Sequence, residues 1–295
     1  MIRQTIELLS EATRALKNNL SSLAIFAGLY ALLLAALYGF VATREATILQ
    51  VLLTLLFVGL APLFFFLLQA AIINHARRGR IEWHRVLADS TKLALAALPV
   101  IALGIGIMWL LNRWQAHYPT PYFNPHDVNS AANQPLPSPP FHLPTILFGT
   151  LRALLFIVLL PLALLHLWIE VAGQDLLAFF RGGLSAFGKR LGRLLSRAFS
   201  TPAVLIYALG LIVFALIPYV LLFFRITMNG AWSEIAIFTT RLLLVFLFTL
   251  LGWVITLSAL VKSAGSQIEP APAAPDDAAN PVQSASVVGP EVSSA

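Results

Sequence analysis

The stretch TILQVLLTLLFVGLAPLFFFLLQAAII, residues 47–73, contains no charged side chain and no break in its apolar run apart from scattered Thr, Gln, Gly and Pro. A helix needs about 20 such residues to cross a hydrocarbon core of about 30 Å. This stretch exceeds that, so it reads as a membrane span rather than as the core of a soluble domain. Working outward, five more segments pass the same test: roughly 21–42, 93–112, 145–171, 202–225 and 236–261. Pro62 and Pro161 lie inside the two longest spans, where neighbouring helices and side chains can satisfy the backbone groups that proline frees. The fold class is therefore all-α: a polytopic transmembrane bundle of about six spans.

Composition agrees. Hydrophobic residues make up 59% of the 295 and charged residues 11%, whereas a soluble domain carries about 25% charge. There is no cysteine, which excludes disulfides, thiolate metal sites and cysteine nucleophiles. The net charge of +6 does not point to nucleic acid, because the basic residues lie between hydrophobic spans, where anionic headgroups are the nearer partner.

Basic residues also orient the chain. Fourteen of the nineteen fall on one side: Arg3, Arg14 and Lys17; Arg77, Arg78, Arg80, Arg85 and Lys92; Arg181, Lys189, Arg190, Arg193 and Arg197; and Lys262. Arg44, Arg113, Arg152, Arg225 and Arg241 fall on the other. By the positive-inside rule both termini face the cytoplasm, with the chain in the inner (plasma) membrane. Residues 1–20 place Ile2, Ile6, Leu9, Ala12, Leu16 and Leu20 on one side at helical spacing, an amphipathic segment expected along the interface. The apolar run that follows is longer than a signal-peptide core and reads as a retained span. Six spans thus occupy 21–262, and 263–295, acidic and rich in Ala, Pro and Ser, reads as a disordered tail. The loop 113–144 has eight prolines, which favour extended chain. His117, His126, Asp127 and His142 are scattered along it without the short pairing of a metal site.

Two features carry functional expectations. In 184–198, Leu184, Phe187, Leu191, Leu194, Leu195 and Ala198 fall within an arc of about 100°, with Lys189, Arg190, Arg193 and Arg197 opposite. That is the pattern of a helix lying among lipid headgroups. Arg77, Arg78, Arg80 and Arg85, with Trp83 as an interface anchor, present the same chemistry in a shorter stretch. In the fourth span, Arg152 and Glu170 are eighteen residues apart, five α-helical turns, and His166 lies one turn from Glu170. Ionisable groups inside a membrane are costly and so mark candidate sites. Small residues Ala24, Gly28, Ala31, Ala35 and Gly39 on the first span, and Ala102 with Gly106 on the third, are expected to pack helix against helix.

Gly79 to Leu87 and Gly183 to Leu191 each follow a hydrophobic span, begin at glycine and run through a basic amphipathic stretch. This arrangement resembles a loose class of bacterial six-helix inner-membrane proteins, including the membrane domain attached to some glycerophosphodiester phosphodiesterases. The resemblance implies an all-helical membrane domain, often without catalytic residues of its own. With no phosphodiesterase domain attached, no hydrolytic activity is expected to carry over.

No phosphate-binding loop, nucleophile elbow or His-Glu-x-x-His motif occurs. The expectation is a non-enzymatic scaffold, assembly or accessory component, without cofactor or metal, whose basic cytoplasmic face contacts anionic lipid headgroups or another membrane or cytoplasmic protein. The alternative is a transporter or channel for a small or lipid-like substrate that uses Arg152, His166 and Glu170.

Overall fold

A computed structural model describes residues 2–43, 47–118, 143–172, 183–224 and 230–266, the backbone alone at 183–188, 190, 191, 231 and 266. The described residues form eight helices and no strand: α1 (Ile2–Lys17), α2 (Leu20–Ala42), α3 (Ile48–Arg78), α4 (Trp83–Gln115), α5 (Leu143–Val171), α6 (Gly183–Ala198), α7 (Thr201–Phe223) and α8 (Ala231–Ser266). Six of them, α2 to α5, α7 and α8, are long and apolar enough to cross a membrane. The all-α, multi-pass reading stands. The proposed acidic tail lies beyond the described residues, as does most of the proline-rich loop.

The spans form three hairpins, α2–α3, α4–α5 and α7–α8, which meet at one end. We call it the basic end because α1, α6, the α3–α4 link and Lys262 collect there. Here α3 is buried on all sides from Leu67 to His75 and α8 from Thr256 to Val261. A helix buried around its whole circumference must be surrounded by other helices, and α2, α4, α5, α7 and α1 supply that surround. At the far end the helices pack mainly within their own hairpins. The outer part of α5, Leu143–Ala153, lies on α4, and the outer part of α7, Ile217–Phe223, lies on α8. Leucine, isoleucine and valine side chains of the outer halves stay exposed on every span, as lipid-facing surface does.

Local chemistry explains the joints. Asn19 caps α2 by accepting from the Ser22 N–H at 3.2 Å, while its own Nδ2 donates to the Gly79 carbonyl at 3.1 Å. One side chain thereby ties the α1–α2 corner to the α3–α4 corner. Gly79, at φ 71°, ends α3 in the left-handed conformation that suits glycine. In α5, Pro161 cannot donate to Ile157; that carbonyl accepts instead from the Tyr207 hydroxyl of α7 at 2.8 Å. A π-helical stretch, Leu154–Leu159, precedes Pro161, and another, Ile212–Leu216, precedes Pro218 in α7.

The small-residue stripes sit differently from the sequence expectation. Ala24, Gly28, Ala31 and Ala35 are exposed, and a Cβ on Gly28 or Gly106 would meet nothing. The packing face of α2 is Ser22, Phe26, Leu29, Leu33 and Ala36. Only Gly39 is closely approached, by the Phe57 ring. Close approach occurs between α7 and α8, where Cβ atoms on Gly210 and Gly252 would overlap Thr256 and the Phe214 backbone.

Candidate functional site

The two basic stretches paired in the sequence reading take different forms. Residues 183–191 lie inside one continuous helix, α6, whereas 79–87 cross the break between α3 and α4. That link is held by Glu82. Buried Asn74 accepts the Glu82 backbone N–H at 3.0 Å. The carboxylate then takes Arg78 at 2.6 Å, Arg80 at 2.9 Å and Arg85 at 2.9 Å. Desolvation pushes the Glu82 carboxyl up, but the hydrogen bonds and positive charges of Arg80 and Arg78 outweigh it and hold the group below the ordinary carboxylate range. Arg77 donates to the Ile169 carbonyl in the last turn of α5, where carbonyls lack helical partners. All four arginines of this stretch that were expected to meet lipid or a partner therefore have structural work. Arg80 nevertheless keeps 77% of its side-chain surface exposed.

Helix α6 docks on α5 and α7 by its apolar side, burying Leu194 and Ala198. Lys189 and Arg193 are exposed. Arg197 reaches back to Glu170 at 3.6 Å. The Arg190 side chain lies outside the described residues.

The fourth-span residues are placed but not brought together. Arg152 Nη2 donates to Asn112 Oδ1 of α4 at 2.6 Å. His166 is buried with Nδ1 3.0 Å from its own helix's Leu162 carbonyl. Glu170 faces Arg197. The shared azimuth fails because the count assumed an uninterrupted α-helix. A π turn takes in one more residue than an α turn, which rotates everything beyond it by about 100°.

Polar groups the sequence did not single out matter as much. Trp253 Nε1 donates to fully buried Gln69 at 2.9 Å, and Trp168 Nε1 donates to the Leu93 carbonyl at 3.2 Å. A cavity of about 260 Å³ lies beneath α1, lined in part by Leu16, His75, Ser258 and Lys262. Lys262 closes its rim with an ion pair to Glu11 at 2.6 Å. Signals for these groups existed in the sequence, since Gln69, Asn74 and Glu82 are polar residues set in or beside apolar runs, but their partners are distant in the chain. Among the described residues no three His, Asp or Glu side chains converge as a metal site. His117 lies against the Arg113 carbonyl, and His126, Asp127 and His142 fall outside the described residues. No protein family, curated protein or solved structure matches the chain.

Proposed function

We propose that this multi-pass membrane protein is a non-enzymatic scaffold or accessory component of the inner membrane, with its basic end at the cytoplasmic surface in contact with anionic headgroups. The observation that carries the reading is the attitude of α6. It is anchored by Leu194 and Ala198 and presents Lys189 and Arg193 outward. Each cation near an anionic leaflet contributes on the order of 1 kcal/mol. The separation of Arg152, His166 and Glu170 toward three different neighbours supports a scaffold over a transport path, since a path needs them on one cavity. Helix α1 adds a second interfacial element, burying Thr5, Ala12 and Leu16 in the bundle and leaving Ile2 and Ile6 exposed.

The chain has no cysteine, so a fluorophore on Ser196→Cys reports on α6 alone. In vesicles with a headgroup-borne quencher on phosphatidylglycerol, quenching is expected to exceed that with labelled phosphatidylcholine. The difference should fall at high salt and in the Lys189→Gln/Arg193→Gln double variant. Equal quenching by both lipids overturns the headgroup contact and leaves the exposed cations to a protein partner.

A further inference from the structure

Arg241 lies within α8 and has no hydrogen-bond or ion-pair partner among the described residues; its Nη2 is buried. It lines a groove of about 400 Å³ between the outer parts of α7 and α8, whose other walls are Val220, Leu221, Phe224, Ile237 and Leu244, with Thr240 beside it. A cation in apolar surroundings costs several kcal/mol unless it is paired or hydrated. Glu234 is on the same helix face but two turns away, about 10 Å, beyond ion-pair reach.

Depth supplies the missing partner. Arg241 and Lys262 are twenty-one residues apart on one continuous helix, about 32 Å at 1.5 Å per residue. That spacing matches the hydrocarbon thickness of about 30 Å. With Lys262 at the headgroup level of the basic end, Arg241 stands at the headgroup level of the opposite leaflet. The groove beside it is apolar, large enough for part of an acyl chain, and open to lipid because the outer part of α7 packs mainly on α8.

We propose that the α7–α8 groove binds one anionic phospholipid of the far leaflet, its phosphate paired with the Arg241 guanidinium, its headgroup region beside Phe224 and Ile237, and an acyl chain running toward the basic end past Val220 and Leu244. A guanidinium matches a phosphate with directed, charge-assisted hydrogen bonds. A zwitterionic headgroup would bring an ammonium beside that cation, and among the described residues no carboxylate lines the groove to receive it. The site is at the opposite end from α6 and does not rest on the contact proposed there.

A fluorophore on Tyr219→Cys, an exposed position next to the groove, reads occupancy locally in the full-length protein. Titration with brominated-chain phosphatidylglycerol is expected to give saturable quenching, and brominated phosphatidylcholine a much weaker response. Arg241→Gln should weaken phosphatidylglycerol about tenfold, the change that about 1.4 kcal/mol of lost pairing produces. Leu244→Trp, which fills the groove and keeps the charge, should abolish saturation; if Arg241→Gln is not monodisperse, this variant decides. Lys189→Gln/Arg193→Gln should leave the signal unchanged. Equal quenching by the two lipids, an unchanged titration in the groove variants, or displacement by millimolar inorganic phosphate overturns the proposal.

Discussion

Single side chains at the basic end work as joints. Asn19 caps one helix and binds the end of another, and Glu82 gathers three arginines around a backbone fixed by Asn74. The folded carboxyl of Glu82 is held below its ordinary value, so its contribution to stability is fully present above the ordinary carboxylate range and is lost as pH falls through the lower folded value. Glu82→Gln is therefore expected to lower the thermal midpoint in detergent at neutral pH and to flatten its decline on acidification. A variant that keeps the wild-type midpoint and acid profile would show that the three arginines do not depend on this carboxylate. Basic residues here could be counted from sequence, but not which of them were already paired. An acidic residue among arginines reads the same whether it meets one of them or three.

At the scale of elements, two rules read from spacing fared differently because of what lies next to them. Helices α1 and α6 were legible because amphipathic periodicity needs only one apolar environment on one side, and the bundle provides it. Small-residue spacing on α2 was legible too, but its stripe faces outward apart from Gly39, which meets the Phe57 ring, and helix backbones come close at Gly210 and Gly252 instead. A glycine permits approach without causing it; the approaching surface belongs to another helix. Gly210→Ala is expected to destabilise the protein by about 1–3 kcal/mol through overlap with Thr256. Gly28→Ala, in open space, should be neutral or slightly stabilising, since alanine is the better helix former. Thermal unfolding of the two variants side by side checks this, and similar effects would contradict the placement of the two faces. The fourth span makes the same point about period. Five turns of α-helix put Arg152 over Glu170 only while every turn is an α turn, and Leu154–Leu159 is not.

The whole molecule joins a tightly packed basic end to three hairpins that pack separately at the far end. Six spans and a charge asymmetry predict that an alkaline phosphatase fused within 113–144 is active and one fused after Lys262 is inactive, and the reverse pattern would reject the orientation. The six long apolar helices and the helical form of α1 and α6 followed from sequence, because a backbone in hydrocarbon must satisfy its own hydrogen bonds, the span length is set by the bilayer, and helical periodicity is written in consecutive residues. These are local requirements, visible in consecutive residues. Tertiary structure alone decided which cations are spent on Glu82, that Tyr207 serves the carbonyl Pro161 abandons, that the polar stripe is divided, and that Arg241 is left facing an apolar groove. Each of those depends on a partner far away in the chain, and hydropathy or helical period carries no record of which helix will stand beside which.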